Sequence, residues 1–166
     1  WQPSQDREKT GRGAKTIGRH PASTFEAISI LDRCEDLNIQ VIPTLYGRNP
    51  SPVEFIEDPP LVLYVRGNKD LLYRSDSIAI VGTRQPNEWS VRVAASLARR
   101  CVEAERVIVS GLAMGCDAVA HEKAIECGGY TVAVLPSGLD NVYPKEHRGL
   151  AEDILDSGGT LVSEYA

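Results

Sequence analysis

The sequence predicts an α/β protein with a Rossmann-like, doubly wound and mainly parallel sheet, helices on both faces, and a small N-terminal extension. Two observations predict this fold. Short β-branched apolar runs end in glycine, as at residues 78–82 and 107–111, and segments of helical length separate them. Strands joined by helices of this length need right-handed crossovers, which produce a parallel sheet.

The predicted elements follow in chain order. An amphipathic helix over about residues 21–38, capped by Ser23 or Thr24, precedes short strands at 39–42 and 61–65. From residue 77 onward strands and helices alternate regularly. The strands are predicted at 78–81, 106–110, 130–135 and 160–163, and the helices at about 89–104, 116–127 and 146–157. We therefore divide the chain into a flexible basic arm (1–20), an N-terminal helix and strand module (21–76) and an incomplete Rossmann-like domain (77–166).

Composition limits the function classes. The net charge of −5 argues against a protein that coats nucleic acid over its whole surface. Residues 1–20 nevertheless carry a net charge of +3, which leaves a net charge of −8 on the rest of the chain. We prefer to interpret this segment as a solvated tail, and a DNA-binding arm is the alternative. No apolar run is long enough to span a bilayer and no signal-peptide core is present, so we expect a cytoplasmic protein without a membrane partner.

The loops that follow the strands are the predicted site, because ligands of such sheets bind at the carboxyl ends of the strands. In the first loop, Gly82 permits a tight turn with bare N–H groups, Thr83 offers a hydroxyl, and Arg84 can hold a phosphate bidentately. Arg84 is the strongest single candidate. The alternative is a surface salt bridge to one of the many carboxylates.

The second loop has the form Gly111-x-x-x-Gly115 and opens the helix that carries Asp117 and His121. Its N–H groups and the helix N-terminus predict another anion cradle. Asp117 and His121 stand four residues apart on one helical face. They could form an acid–base pair, but we favour a structural interpretation in which Asp117 caps the helix and His121 is hydrogen-bonded between helix and sheet.

Several motifs that would indicate catalysis are missing from the sequence. It contains neither Gly-x-Gly-x-x-Gly nor Gly-x-x-x-x-Gly-Lys-Ser/Thr, and no Gly-x-Ser-x-Gly. The four cysteines are irregularly spaced and suit neither a zinc site nor a disulfide framework. We therefore predict no cofactor, no metal and no enzymatic activity.

Five motifs in order resemble the DNA-processing protein A (DprA/Smf) family over about residues 57–165. They are Ile80-Val81-Gly82-Thr83-Arg84, the 109–121 segment Val-Ser-Gly-Leu-Ala-x-Gly-x-Asp-x-x-Ala-His, the 128–135 segment Gly-Gly-x-Thr-Val-Ala-Val-Leu, the 138–144 segment Gly-Leu-Asp-x-x-Tyr-Pro, and Leu161-Val162-Ser163-Glu164-Tyr165. The resemblance implies a non-enzymatic protein that binds single-stranded DNA in natural transformation, protects incoming DNA and assists loading of a RecA-type recombinase, commonly as a homodimer.

The resemblance also implies roles for particular residues. Gly82, Thr83 and Arg84 would contact DNA phosphate, and the backbone around the second loop would shape the adjoining wall. That wall consists of Ser110, Gly111 and Gly115. Further pocket candidates are Asp117, His121, Gly138 and Glu164.

The sequence departs from the family pattern at its end. It stops at Ala166, before the Phe-Pro-x-Arg-Asn-Arg segment of the family, so we expect an exposed sheet edge or a helix-facing patch that could pair with another chain. Two alternative functions stay open. One is a nucleotide- or ribose-phosphate-handling protein like the phosphoribohydrolases, although Gly128-Gly129 and Gly158-Gly159 lack the Gly-Gly-x-Gly-Thr-x-x-Glu continuation. The other is a truncated remnant that serves only in protein interaction.

Overall fold

The structure is a computed structural model that describes residues 21–44, 53 and 56–166. The arm predicted for residues 1–20 lies outside the described residues. The helices and strands, in chain order, are α1 (Pro21–Asp36), β1 (Gln40–Pro43), β2 (Val62–Gly67), β3 (Ser77–Ala79), α2 (Glu88–Glu103), β4 (Val107–Ser110), α3 (Cys116–Glu126), β5 (Thr131–Leu135), α4 (Arg148–Asp156) and β6 (Thr160–Ser163). Short 3₁₀ helices at Lys69–Tyr73 and Lys145–His147 complete the described elements.

Six strands form one sheet in the spatial order β1-β2-β6-β5-β4-β3. Strands β3 to β6 run parallel, whereas β2 is antiparallel to both β1 and β6. The predicted N-terminal module thus adds two strands to the sheet of the predicted Rossmann-like domain, through pairs such as Val65 with Val162. The proposed boundary near residue 77 stays a prediction.

The α/β, mainly parallel Rossmann-like architecture predicted from the sequence is confirmed. Each predicted helix and strand is present with ends that differ by a few residues, as is usual for frayed termini. The 3₁₀ helix at Lys69–Tyr73 was not predicted. It is too short for a periodic signal, yet it places Leu71 in the core.

Helices α2, α3 and α4 pack against one face of the sheet, rather than being divided between both faces as the sequence analysis expects. The physical reason is the spatial order of the strands. Because β3, β4, β5 and β6 are adjacent in chain order, three right-handed crossovers in the same direction return over the same face. The fully buried residues on this side include Ala98, Ile108, Ala124, Ile154 and Leu161.

The opposite face of the sheet, which we call the open face, carries the alternate strand residues. Val109, Val132 and Val162 lie on it because side chains alternate between the two faces of a strand. Leu71 and Leu72 of the 3₁₀ helix, together with Val53, pack against it. Val132 and Val162 are nevertheless buried, whereas Val134 at the carboxyl end of β5 is 48% exposed.

Candidate functional site

The carboxyl ends of the four parallel strands meet at one edge of the sheet. A cleft of about 610 Å³ opens there and continues over the open face. It is bordered by Arg84 from the loop after β3, Gly111 after β4, the buried Asp117 in the first turn of α3, and Glu164 after β6. Most of the surface that lines it is apolar, with Val134 on its wall. Loops distant in sequence are thus brought together as predicted.

Arg84 is an exposed cation at the rim of this cleft. None of the ion pairs formed among the described residues involves Arg84, so the alternative of a surface salt bridge is not seen there. A guanidinium cannot lose its charge near neutral pH and presents a planar fork of donors that fits phosphate oxygens. The arrangement leaves Arg84 able to bind an anion from solution.

Asp117 joins the first two loops of the site. Its side chain is buried, and one carboxylate oxygen accepts the N–H of Gly111 at 3.0 Å while the other accepts the N–H of Gly82 at 3.4 Å. The expectation that Asp117 caps its own helix is wrong. The N-cap of α3 is Gly115 and has no side-chain cap. The carboxylate instead fixes the ends of β3 and β4 relative to each other.

This arrangement changes which groups of the first loop could meet a phosphate. The amides of Gly82 and Gly111, predicted as bare donors, are occupied by Asp117. The Cys116 N–H at the start of α3 donates to the Thr83 carbonyl at 3.1 Å, and the Thr83 hydroxyl accepts the N–H of Gln85 at 3.1 Å. Several polar groups of the loop are therefore already hydrogen-bonded within the protein. The Arg84 side chain is the group of this loop best placed to bind a phosphate.

The wall predicted to adjoin the Arg84 loop is made of closely packed backbone. Gly115 has φ of +86°, and a Cβ there would lie 2.4 Å from the Thr83 carbonyl oxygen and 2.8 Å from the Arg84 carbonyl carbon. Only glycine permits this approach. Ser110 is buried and donates its hydroxyl to the Ile80 carbonyl at 2.6 Å, which joins β4 to the end of β3. Both residues thus hold the loops after β3 and β4 close together; their role in a DNA pocket stays a prediction.

His121 lies between α3 and the sheet and not on the cleft. Its Nδ1 is 2.7 Å from the Thr131 hydroxyl, which itself donates to the Ile108 carbonyl, so Nδ1 carries the proton and donates to Thr131. Burial lowers the pKa of His121 to about 4, with His147 acting in the same direction and Asp117 opposing it. The structural interpretation of His121 is thus supported over an acid–base pair with Asp117.

The two remaining predicted pocket residues, Glu164 and Gly138, lie in different places. Glu164 is exposed and borders the same cleft as Arg84. Gly138 belongs to a different cluster, where a Cβ would lie 2.5 Å from the Ala166 carbonyl oxygen and 2.8 Å from an Asp140 carboxylate oxygen. Asp140 also pairs with Arg33 of α1. Gly138 therefore acts at the junction with α1 rather than beside Arg84.

Two features of the site were missed by sequence reasoning. His147 donates from Nδ1 to the Leu112 carbonyl at 2.7 Å and so attaches the 3₁₀ turn before α4 to the second loop. Leu112 itself has φ of +57°, which no local sequence signal indicates. The apolar cleft wall did have a signal, because its valines at 109, 132, 134 and 162 alternate with residues of the helix-covered face.

The described residues contain no group of three or more His, Cys, Asp or Glu side chains placed to hold a metal ion. Within the same residues, no helix has the length and apolar character needed to cross a bilayer.

Comparison with known proteins gives consistent matches. Residues 41–166 match the family described as DNA recombination-mediator protein A. The chain is 35% identical to the Bacillus subtilis DNA processing protein DprA over 82% of this chain and 46% of that protein. It is 36% identical to the Escherichia coli protein Smf over 94% of this chain and 41% of Smf. The chain therefore spans less than half the length of these relatives.

Solved structures agree with the sequence matches. The structure of DNA processing protein A from Streptococcus pneumoniae superposes with a TM-score of 0.69 and 33% identity, covering 90% of this chain and 53% of that one. The Helicobacter pylori protein, studied for its single-stranded DNA binding mode, gives a TM-score of 0.67 and 32% identity over 76% of this chain and 55% of that chain. The fold, the ordered motifs and these matches together show that the chain belongs to the DNA recombination-mediator protein A (DprA/Smf) family.

Proposed function

We propose that this chain is part of a DNA-processing protein that binds single-stranded DNA, with Arg84 holding a backbone phosphate at the carboxyl edge of the sheet. The observation that carries the proposal is the exposed Arg84 guanidinium, which forms no ion pair among the described residues and stands on a loop fixed by Asp117. The Helicobacter pylori relative, studied for binding single-stranded DNA, supports it.

The chemistry of the site predicts binding without sequence preference. A phosphate contact positions the nucleic acid but carries no base information. The net charge of −5 over the chain means that attraction must come from local cations instead of a general positive field. Gly82 and Thr83 would support the Arg84 contact through the shape of their loop, and Ser110, Gly111 and Gly115 through the packed wall beside it.

Family membership supports the finer part of the proposal. In this proposal the full protein acts in natural transformation in the cytoplasm, protects incoming DNA, assists loading of a RecA-type recombinase, forms a homodimer and catalyses no reaction. The division into arm, N-terminal module and Rossmann-like domain belongs to the same proposal.

The test is fluorescence anisotropy of labelled oligothymidine at several salt concentrations, with duplex DNA and free mononucleotides as competitors. Loss of one phosphate contact in Arg84→Ala should reduce the slope of log K against log salt by about 0.7, which corresponds to about fivefold weaker binding near 0.1 M salt. Arg92→Ala is the control, because Arg92 is exposed on α2 and pairs with Glu88.

The outcomes separate the functions. Salt-sensitive binding that mononucleotides compete poorly supports the proposal. Displacement by mononucleotide alone would favour the nucleotide-handling alternative. Binding and salt slope unchanged in Arg84→Ala would refute the assigned contact, and no DNA binding at all would favour a role in protein interaction through the open face.

A further inference from the structure

We infer that Asp117 is a positioning residue for DNA binding: although negatively charged, it strengthens binding of a polyanion because it holds the Arg84 loop in its binding orientation. The inference rests on the proposed function of Arg84. It assigns to a buried carboxylate an effect opposite to the one that its charge alone would have.

The geometry of the carboxylate carries the inference. Its two oxygens accept N–H groups from two different loops, Gly111 at 3.0 Å and Gly82 at 3.4 Å. Gly82 is two residues before Arg84, so the contact fixes the backbone from which the guanidinium extends. A second contact holds the same loop, since Cys116, the residue before Asp117, donates its N–H to the Thr83 carbonyl. The first turn of α3 thus holds the Arg84 loop from two sides.

The position of Asp117 explains how a buried carboxylate is tolerated. It lies in the first turn of α3, where the helix dipole favours negative charge, and each oxygen has an N–H donor. The space around it is filled, because a Cβ on Gly111 would lie 2.9 Å from Oδ2. The carboxylate therefore has one well-defined arrangement and cannot turn toward a ligand without releasing a loop.

Two effects of removing Asp117 have opposite signs. Coulomb's law alone predicts that deleting a negative charge near DNA strengthens binding. Loss of the two loop contacts predicts weaker binding, because Arg84 would have to be ordered at the moment of binding. The sign of the change in affinity therefore decides between a charge effect and a positioning role.

The experiment measures oligothymidine affinity and salt dependence for Asp117→Asn and Asp117→Ala. Glu146→Gln is the matched control, because Glu146 is an exposed carboxylate in the 3₁₀ helix that His147 attaches to the second loop. We expect both Asp117 variants to bind more weakly, approaching the roughly fivefold loss of Arg84→Ala, with a reduced salt slope. Glu146→Gln should bind at least as tightly as the unmodified chain.

A double-mutant cycle tests whether Asp117 acts through Arg84. In an Arg84→Ala background, Asp117→Asn should cost no further affinity, since the guanidinium it positions is gone. An equal loss in both backgrounds would overturn the inference, because it would indicate a general structural defect. Unchanged or tighter binding by Asp117→Asn in the presence of Arg84 would overturn it as well.

Amide hydrogen exchange separates this inference from the proposed function. Asp117→Asn should accelerate exchange at the Gly82 and Gly111 amides by about tenfold, while amides of the strands stay protected. If these amides are released but Arg84→Ala leaves DNA binding unchanged, the proposed function fails while the loop contact stands. If they keep their protection, the positioning role fails. Should Asp117→Ala not fold, Gly111→Ala disturbs the same contact without changing the charge.

Discussion

The two faces of the sheet differ in how they are covered. On one face, helices α2, α3 and α4 bury side chains such as Ile108 and Leu161 completely. On the open face, Val134 is 48% exposed and the cleft beside Arg84 continues over apolar residues. Strands β4, β5 and β6 carry apolar side chains on both faces, so an apolar run alone does not show which face the helices cover.

The comparison shows where stability and binding are located. A parallel sheet with apolar side chains on both faces ordinarily carries cover on both. Here both faces contribute to the core, since Val132 and Val162 of the open face are also buried, but the open face becomes exposed at Val134, next to the loops of the candidate site. Substitutions in the helix-covered core should therefore change the free energy of unfolding, and those at the exposed end of the open face, such as Val134, should mainly change surface properties.

The largest expected effect is that of Ile108→Ala on the helix-covered face. Ile108 is fully buried in the cluster with Ala98 and Ala124, so the substitution leaves a cavity that the helices can fill only partly. We expect a loss of about 3 kcal/mol in the free energy of unfolding. Urea denaturation followed by circular dichroism measures this loss. An unchanged slope of the free energy of unfolding against urea concentration would confirm that the folded state is retained. A loss below about 1 kcal/mol would show that this face is no better packed than the open one.

The order of strands and helices after residue 77 was the part of the fold that the sequence predicted best. Strand and helix patterns after residue 77 are local, so they could be found without tertiary information. The face that the helices occupy depends on the spatial order of the strands, which is not a local property. The Asp117 contacts likewise form only when folding brings Gly82 and Gly111 next to Asp117. The sequence could therefore indicate Arg84 and the glycine loops but not the carboxylate that joins them.

A second expected effect concerns acid, and it arises from His121 on the helix-covered face. Burial holds its folded-state pKa near 4, below the ordinary value of 6.5. The unfolded chain therefore binds the proton first, and stability falls as the pH drops below about 6.5 until His121 is also protonated in the folded state. The total loss is about 3 kcal/mol.

The acid effect is measured by denaturation between pH 7 and pH 4. His121→Leu is the comparison, because it removes the titrating group and keeps an apolar side chain of similar length. The carboxylates contribute equally to both proteins, so the difference between the two curves isolates His121. Parallel curves for the two proteins across this interval would contradict the assigned burial of a neutral imidazole.

The smallest expected change in stability is that of Val134→Ala on the open face. Val134 is 48% exposed, so truncation removes little buried surface and leaves no enclosed cavity; we expect less than about 0.5 kcal/mol. The same substitution should lower the fluorescence of a bound apolar dye, because Val134 lines the cleft. Leu97→Ala is a suitable control, since Leu97 is 49% exposed on α2, away from the cleft. A stability loss as large as that of Ile108→Ala would mean that Val134 is covered in solution, and the distinction between the two faces would then have to be abandoned.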